Sequence, residues 1–342
     1  MKRVVAFGEI MLRLSPPGHE LLLQTPAFSV TYGGAEANVA VALSNFGMDA
    51  AFVTALPKNA LGEAAVRELR KFGVDTRHIL RTEGRMGLYF TQKGSCCRPS
   101  QVLYDRADSA VSRVSRGDFD WDVILERASW FHVTGITPAL SSGAAEVTLE
   151  ALEACRAKGI PCSCDLNYRK KLWKWGKKAT EVMPQVARMV NLLIANEEDC
   201  QKTLGIELDV DVARGALDEG RYHGLALRVL DDYPNLEYVA VSLRESLGAD
   251  HNVWSGMLAD REDVFFSRKI DLTHIVDRIG GGDAFGAGLI WGLQELGTPA
   301  EVLEFAVAAS ALKHTLPGDF NLVSLEEILG LMGGDTSGRV QR

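Results

Sequence analysis

The 342-residue sequence predicts an α/β fold built on a central, mostly parallel sheet. Three observations carry this reading. Short apolar, β-branched runs alternate with helix-period segments from end to end. The runs are apolar on both faces, as strands buried between two helical layers must be. Several helical segments stop at a glycine, the residue that most readily takes the left-handed conformation closing a helix.

In chain order, residues 4–8 read as the first strand. Residues 35–46 read as a helix stopped by Gly47, 51–55 as a strand, and 60–72 as a helix stopped by Gly73. Strands follow over 130–134, 160–166, 192–195 and 238–243, with a helix over 143–158 stopped by Gly159 and another over 301–313. Right-handed crossovers between such strands place ligands at their carboxyl ends. Two stretches break the rhythm: residues 11–32, with Pro16-Pro17-Gly18, and 85–108, whose Leu88-Tyr89-Phe90-Thr91 and Gln101-Val102-Leu103-Tyr104 read as a β-hairpin. The expected division is a core of residues 1–11, 33–84 and 109–332, a small β lid of 12–32 and 85–108, and a tail of 333–342. A plain surface hairpin is the alternative to a lid, but functional loops gather at this edge.

Composition excludes several classes. With 37 basic and 45 acidic residues the net charge is −8, which opposes binding to nucleic acid or anionic membranes. No apolar run approaches the roughly 20 residues of a membrane span, and the start lacks a signal-peptide pattern. The six cysteines form no C-x-x-C pair, so a reducing cytoplasm is expected. Cys162 and Cys164 alternate along an expected strand and read as core rather than as a redox pair. There is no H-E-x-x-H zinc motif, no Walker-type loop, and no G-x-G-x-x-G after the first strand.

The chain does carry Asp277-Arg278-Ile279-Gly280-Gly281-Gly282-Asp283-Ala284-Phe285, three glycines opening an apolar helix. Side-chain-free amides at a helix N-terminus form an anion site. Asp283 reads either as a helix cap or as a base that takes a hydroxyl proton while the amides of Gly280, Gly281 and Gly282 hold a transferring phosphoryl group.

This segment resembles the C-terminal signature of the ribokinase-like (PfkB) carbohydrate kinases. The family's other signature has its counterpart in Tyr32-Gly33-Gly34-Ala35-Glu36-Ala37-Asn38-Val39-Ala40. The resemblance spans nearly the whole chain and implies a three-layer sandwich with a β lid, ATP and Mg²⁺ as cofactors, Asp283 as the catalytic base, and Asn38 facing the sugar; whether a monovalent cation is needed in addition the sequence leaves open. A motif ordering Mg²⁺ through water corresponds to Asn196-Glu197-Glu198-Asp199, with Asp199 where the family has glutamate. Asn196, Glu197 and Asp199 are the metal-side candidates, and a capped acidic helix start is the alternative.

Asp165-Leu166-Asn167-Tyr168-Arg169 follows a strand, which puts Asn167 and Arg169 over the site. Arginines suit a carboxylate better than a neutral sugar. The pattern D-x-N-x-R-x-x-L-W, with Tyr104-Asp105-Arg106 on the lid, is similar to the 2-keto-3-deoxygluconate kinases. That likeness implies a sugar-acid substrate touching Gly34, Tyr89, Tyr104, Arg106 and Arg169, with Asp319 nearby. Arg169 reaching ATP phosphates, Arg106 pairing with Asp105 or Asp108, and Asp319 capping a turn are the alternatives. The nucleotide contacts implied are Asn167, Ser242, Arg244, Gly280, Gly282 and Ala308, although residues 245–252 read as an insertion and the stripe around Ala308 also suits plain helix packing. Apolar outer faces on the lid strands point to a homo-oligomer.

Overall fold

The structure, a computed structural model of the chain, describes residues 2–206 and 219–334; the side chain of Glu197 lies outside the description. The central sheet has ten strands: β1 (Arg3–Phe7), β4 (Asp49–Pro57), β5 (Ile79–Thr82), β8 (Ala128–Thr134), β9 (Cys162–Asp165), β10 (Leu192–Ala195), β11 (Tyr238–Ser246), β12 (Asn252–Ala259), β13 (Val264–Phe266) and β14 (Ile270–Leu272). Its order is β13-β12-β11-β10-β9-β8-β1-β4-β5, with β14 beside β12. The run from β11 to β5 is parallel, and β12 turns antiparallel onto β11.

Strand residues alternate between the two faces. Val4 and Ala6 enter one apolar core, Val5 and Phe7 the other. The first core is closed by α1 (Ala35–Asn45), α2 (Ala60–Lys71), α9 (Gly281–Glu295), α10 (Pro299–Lys313) and α11 (Leu325–Met332). The second is closed by α3 (Trp121–Ile124), α5 (Ser142–Lys158), α6 (Ala179–Ala187) and α8 (Glu219–Asp232). Short helices α4 (Ile136–Leu140) and α7 (Glu197–Asp199) follow β8 and β10. The result is the three-layer sandwich expected. Gly47, Gly73 and Gly159 take φ of 86°, 77° and 66°, the left-handed turn that ends their helices.

The two irregular stretches build one separate sheet from β2 (Met11–Ser15), β3 (Ser29–Gly33), β6 (Leu88–Gln92) and β7 (Gln101–Asp105), in the order β3-β2-β6-β7. The parallel pairing of β2 with β6 joins the two excursions. Five strand limits differ from the sequence reading: β1, β4 and β8 are Arg3–Phe7, Asp49–Pro57 and Ala128–Thr134 where 4–8, 51–55 and 130–134 were expected, and β9 and β11 differ for reasons visible in the structure. The strand expected over 160–166 is only Cys162–Asp165, because Pro161 has no N–H for the ladder. The insertion expected over 245–252 is the end of a long hairpin: β11 runs past the expected limit at 243 to Ser246, which pairs with Asn252. Of the tail, Gly333 and Gly334 are described and residues 335–342 are not. Cys162 and Cys164 both point into the second core, with Ser163 turned the other way to meet Trp130 and His132. No helix among the described residues is long and apolar enough to cross a membrane.

Candidate active site

The carboxyl ends of β1, β8, β9, β10 and β11 open into one cleft of about 740 Å³, walled on its other side by the small sheet and by the start of α9. That volume suits a small-molecule ligand. The sequence-derived candidates Gly34, Asn38, Tyr89, Tyr104, Arg106, Asn167, Arg169, Asn196, Asp199, Ser242, Arg244, Gly280, Gly282, Asp283 and Asp319 all line it. Gly33, Gly281 and Ala308 do not. A Cβ on Gly33 would collide with Asp319 and Tyr89, and one on Gly281 would press on the His314 ring. Ala308 is fully buried in α10, so plain packing accounts for it. Glu197 was expected near the metal, and its side chain lies outside the described residues.

The long helices away from the cleft, such as α2, α5 and α10, start on Asn59, Ser141 and Thr298, whose side chains cap them. The two long helices that start at the cleft, α1 and α9, follow Gly34 and Gly280 and have no side-chain cap. A Cβ on Gly34 would strike the Glu9 carbonyl, and Gly280, at φ 84°, would strike the Asp319 carbonyl. Glycine is therefore required at both positions, by close backbone approach at the first and by conformation as well at the second.

Asp283 does not cap α9. Its Oδ2 accepts a 2.6 Å hydrogen bond from Asn38 Nδ2, while Asn38 Oδ1 accepts from the Gly34 amide at 3.2 Å. Asn38 thus orients the carboxylate with both ends of its amide. Burial lifts Asp283 to about 7, with Asp319 and Glu36 adding to the rise and the Asn38 bond and Arg169 opposing it. The first helical bond of the turn runs from Ala284 to the Gly280 carbonyl. The Gly281 amide bonds back to Arg278 at 3.4 Å, which corrects the expectation that all three glycine amides are free. The amides without a protein partner among the described residues are those of Gly280, Gly282 and Asp283. Gly282 faces open space.

Opposite this turn stands an acidic group. Asp199 accepts from the Tyr168 amide at 2.9 Å, and burial raises it to about 6. Burial, then Asp199 and Asp283, push Asp165 well above its usual range, and Arg169 opposes them. Asn196 caps α7, its Oδ1 accepting from the Asp199 amide at 2.8 Å. Glu198 lines the cleft as well. Asn167, at φ 38°, holds a buried Oδ1 with no protein partner. No ready-made cluster of three metal-ligating side chains exists among the described residues. These acids with an orphaned amide oxygen fit a divalent cation that keeps most of its ligands as water and phosphate.

The arginines divide by partner. Arg169 is exposed at the cleft, and among the described residues its guanidinium donates one hydrogen bond, to the Tyr168 carbonyl at 3.2 Å. Arg106 is ion-paired with Glu9 rather than with Asp105 or Asp108, and its guanidinium lies 5.4 Å over the Tyr104 ring. Asp105 is taken by Arg85 at 2.7 Å. Asp319 caps no turn: it accepts from Arg13 at 2.6 Å and from the Tyr89 hydroxyl at 2.5 Å. At the other end of the cleft Arg278 stands with Arg244 and donates to the Gly248 carbonyl and, at 2.9 Å, to Asn252 Oδ1; burial and the Arg244 charge lower its pKa.

Sequence reasoning missed Glu9, Asp165 and Arg278 as site residues, and Arg13, which holds the site residue Asp319 from outside the cleft lining. An arginine alone among apolar neighbours in Met11-Leu12-Arg13-Leu14 was the available signal for one of them. Chemically, the cleft joins a carboxylate poised near neutrality, unpaired amides beside it, and basic groups at both ends. It is equipped to take a proton from a hydroxyl while stabilising phosphoryl charge.

Comparison with known proteins agrees with that chemistry. The sequence pattern of the pfkB family carbohydrate kinases matches residues 1–229. The chain is 34% identical over 336 residues to a 2-dehydro-3-deoxygalactonokinase of Haloferax volcanii, covering 98% of both chains. It is 26% identical to a 2-dehydro-3-deoxygluconokinase of Bacillus subtilis, covering 95% of this chain and 93% of that one. The crystal structure of 2-dehydro-3-deoxygluconokinase from Thermotoga maritima superposes with a TM-score of 0.92 at 48% identity, covering 98% of this chain and all of the other.

Proposed function

The chain belongs to the pfkB family of carbohydrate kinases, and from that premise we propose that it transfers the terminal phosphoryl group of ATP to a 2-keto-3-deoxy sugar acid, converting 2-keto-3-deoxygluconate to its 6-phosphate. The observation that carries the reading is the Asp283 carboxylate, held by Asn38 at 2.6 Å beside the unbonded amides of Gly280, Gly282 and Asp283. Asp283 takes the proton of the terminal hydroxyl as its oxygen attacks the γ-phosphorus. The bond from that phosphorus to the bridging oxygen breaks, ADP leaves, and the amides hold the charge spread over the phosphoryl oxygens.

Arg169 and the free edge of Arg106 receive the substrate carboxylate, with Tyr89 and Tyr104 against its carbon chain; the names of the relatives support an acid substrate. Ser242, Arg244 and Arg278 receive the nucleotide end. Asp165, Glu198 and Asp199 would hold Mg²⁺ and its waters with Asn167. When bound, that ion neutralises phosphate charge. The two excursions act as a lid, and their outer face, with Val30 55% and Leu103 56% exposed, seats a second copy of the chain. The reducing cytoplasm is its compartment, in keeping with free cysteines at all six positions.

The test offers Mg-ATP with 2-keto-3-deoxygluconate, its galactonate epimer, fructose and ribose, and follows ADP release. The reading requires turnover with a keto-deoxy acid at a kcat/KM at least about tenfold above that with either neutral sugar, the selectivity of one charge-assisted hydrogen bond. Preference for fructose or ribose would overturn the substrate, and no turnover with any acceptor would overturn the kinase.

A further inference from the structure

Supporting the glycine turn, and reaching the cleft through Asp319, lies a charge cluster that the reaction above does not use. Arg13, on β2, is 2% exposed and donates to Asp277 and Asp319, each at 2.6 Å. Both acids are built into the turn's support. Asp277 accepts from the Ile279 and Gly318 amides, each at 3.2 Å, and the Asp319 carbonyl abuts Gly280. The second base is Lys313, at the end of α10, with no exposed surface at all. Its Cε lies 3.2 Å from where a Cβ on Gly280 would stand. Its Nζ makes one long bond, 3.4 Å, to the Leu316 carbonyl.

A buried ammonium with so little direct hydrogen bonding needs a compensating field. Burial lowers the Lys313 pKa, while Asp277, Asp319 and Asp283 oppose the fall and Arg13 adds to it. His314, the next residue, is itself pushed down to about 4 by burial and brings no charge near neutrality. Two bases thus face two acids, and the cluster is neutral. Without Lys313 it would carry one negative charge directly behind Gly280, where the turn's amides must meet phosphoryl charge from the front.

We propose that Lys313 is a positioning residue for phosphoryl transfer, acting through the glycine turn: its buried ammonium, with Arg13, keeps the Asp277–Asp319 pair neutral so that no anion opposes the charge gathered by the amides of Gly280, Gly282 and Asp283. The inference rests on the kinase reading given above.

The test compares Lys313→Met, Lys313→Gln and the double variant Lys313→Met with Asp277→Asn, which restores neutrality without the lysine. Folding is checked by circular dichroism, and kcat and KM are measured for both substrates. The single variants are expected to lose about 10- to 100-fold in kcat, less than the about 10²–10³-fold lost with a direct oxyanion donor, with each KM changed by less than about threefold. The double variant is expected to recover at least tenfold of a hundredfold loss, an outcome that mere loss of packing does not give. Should the single variants fail to fold, the neutral double variant must fold and turn over, since an unpaired buried charge is then what unfolded them. Single variants with kcat within twofold of wild type, a double variant no faster than the singles, or a double variant that does not fold would each overturn the proposal. Wild-type protein without kinase activity would instead overturn the reading beneath it.

Discussion

Replacing Asp283 by asparagine should remove activity and add stability, and the two effects can be separated by pH. The carboxyl is lifted from 3.8 to about 7, chiefly by burial. In the unfolded chain it titrates near 3.8, so between about pH 4 and pH 7 the folded protein holds a proton that the unfolded chain has released. The stabilisation from that proton is complete below about pH 4 and lost as pH rises through about 7. At pH 8 the wild type therefore bears the full penalty of a buried, ionised carboxylate. The interval from 3.8 to about 7 corresponds to about 4 kcal/mol. Asp283 keeps part of its surface at the cleft, so solvent screening reduces this to about 2–3 kcal/mol.

Asparagine is neutral, nearly isosteric, and retains an oxygen for the Asn38 bond. Scanning calorimetry of the two proteins should give the Asp283→Asn variant a Tm higher by roughly 3–5 °C at pH 8. That gain should fall to less than half at pH 5, while ADP release falls by about 10²–10⁴-fold. A variant no more stable than wild type at pH 8, or one whose advantage is the same at both pH values, would refute the buried-base reasoning even if activity were lost.

Only the ionised form of Asp283 can accept a proton, so wild-type kcat/KM should decline as pH falls below about 7, and this limb should vanish in the asparagine variant. Arg169→Ala should raise KM for a keto-deoxy acid about tenfold more than for its uncharged analogue, measured by ADP release; equal losses would remove the carboxylate role. Arg278→Met should raise KM for ATP by about 10-fold or more and leave the acceptor KM unchanged, because it removes one of the two charges proposed to receive the nucleotide phosphates. Aspartate at both Val30 and Leu103 should convert a homo-oligomer to monomers in sedimentation, whereas a wild-type monomer would reject the lid interface.

What the sequence disclosed follows the range of the interactions involved. The strands and helices of the core were legible because burial on both faces leaves a local apolar pattern, as in Leu192 to Ala195, whose bounds the structure reproduces. Asp283 and the glycine turn were legible because the anion site and the carboxylate are adjacent in the chain. Asn38 was visible beside its glycine pair, but its bond to Asp283 spans 245 positions, so its orienting role was not. Arg13 meets Asp319 across 306 positions, and no local pattern marks that pairing. Arg106 illustrates the same limit, since its neighbours Asp105 and Asp108 were the natural partners to propose and Glu9, buried at the end of β1, is the actual one. The stripe around Ala308 left two readings open, because small residues look alike whether they flank a ligand or, as here, another helix.

Phosphoryl transfer turns on where Asp283 points when both reactants are present, so the decisive measurement is a crystal structure of the protein with the keto-deoxy acid and a non-hydrolysable ATP analogue. The terminal hydroxyl is expected within about 2.6–3.2 Å of an Asp283 carboxylate oxygen, with the γ-phosphate on the amides of Gly282 and Asp283. A hydroxyl held elsewhere, with Asp283 bonded to Asn38 alone, would contradict Asp283 as the base.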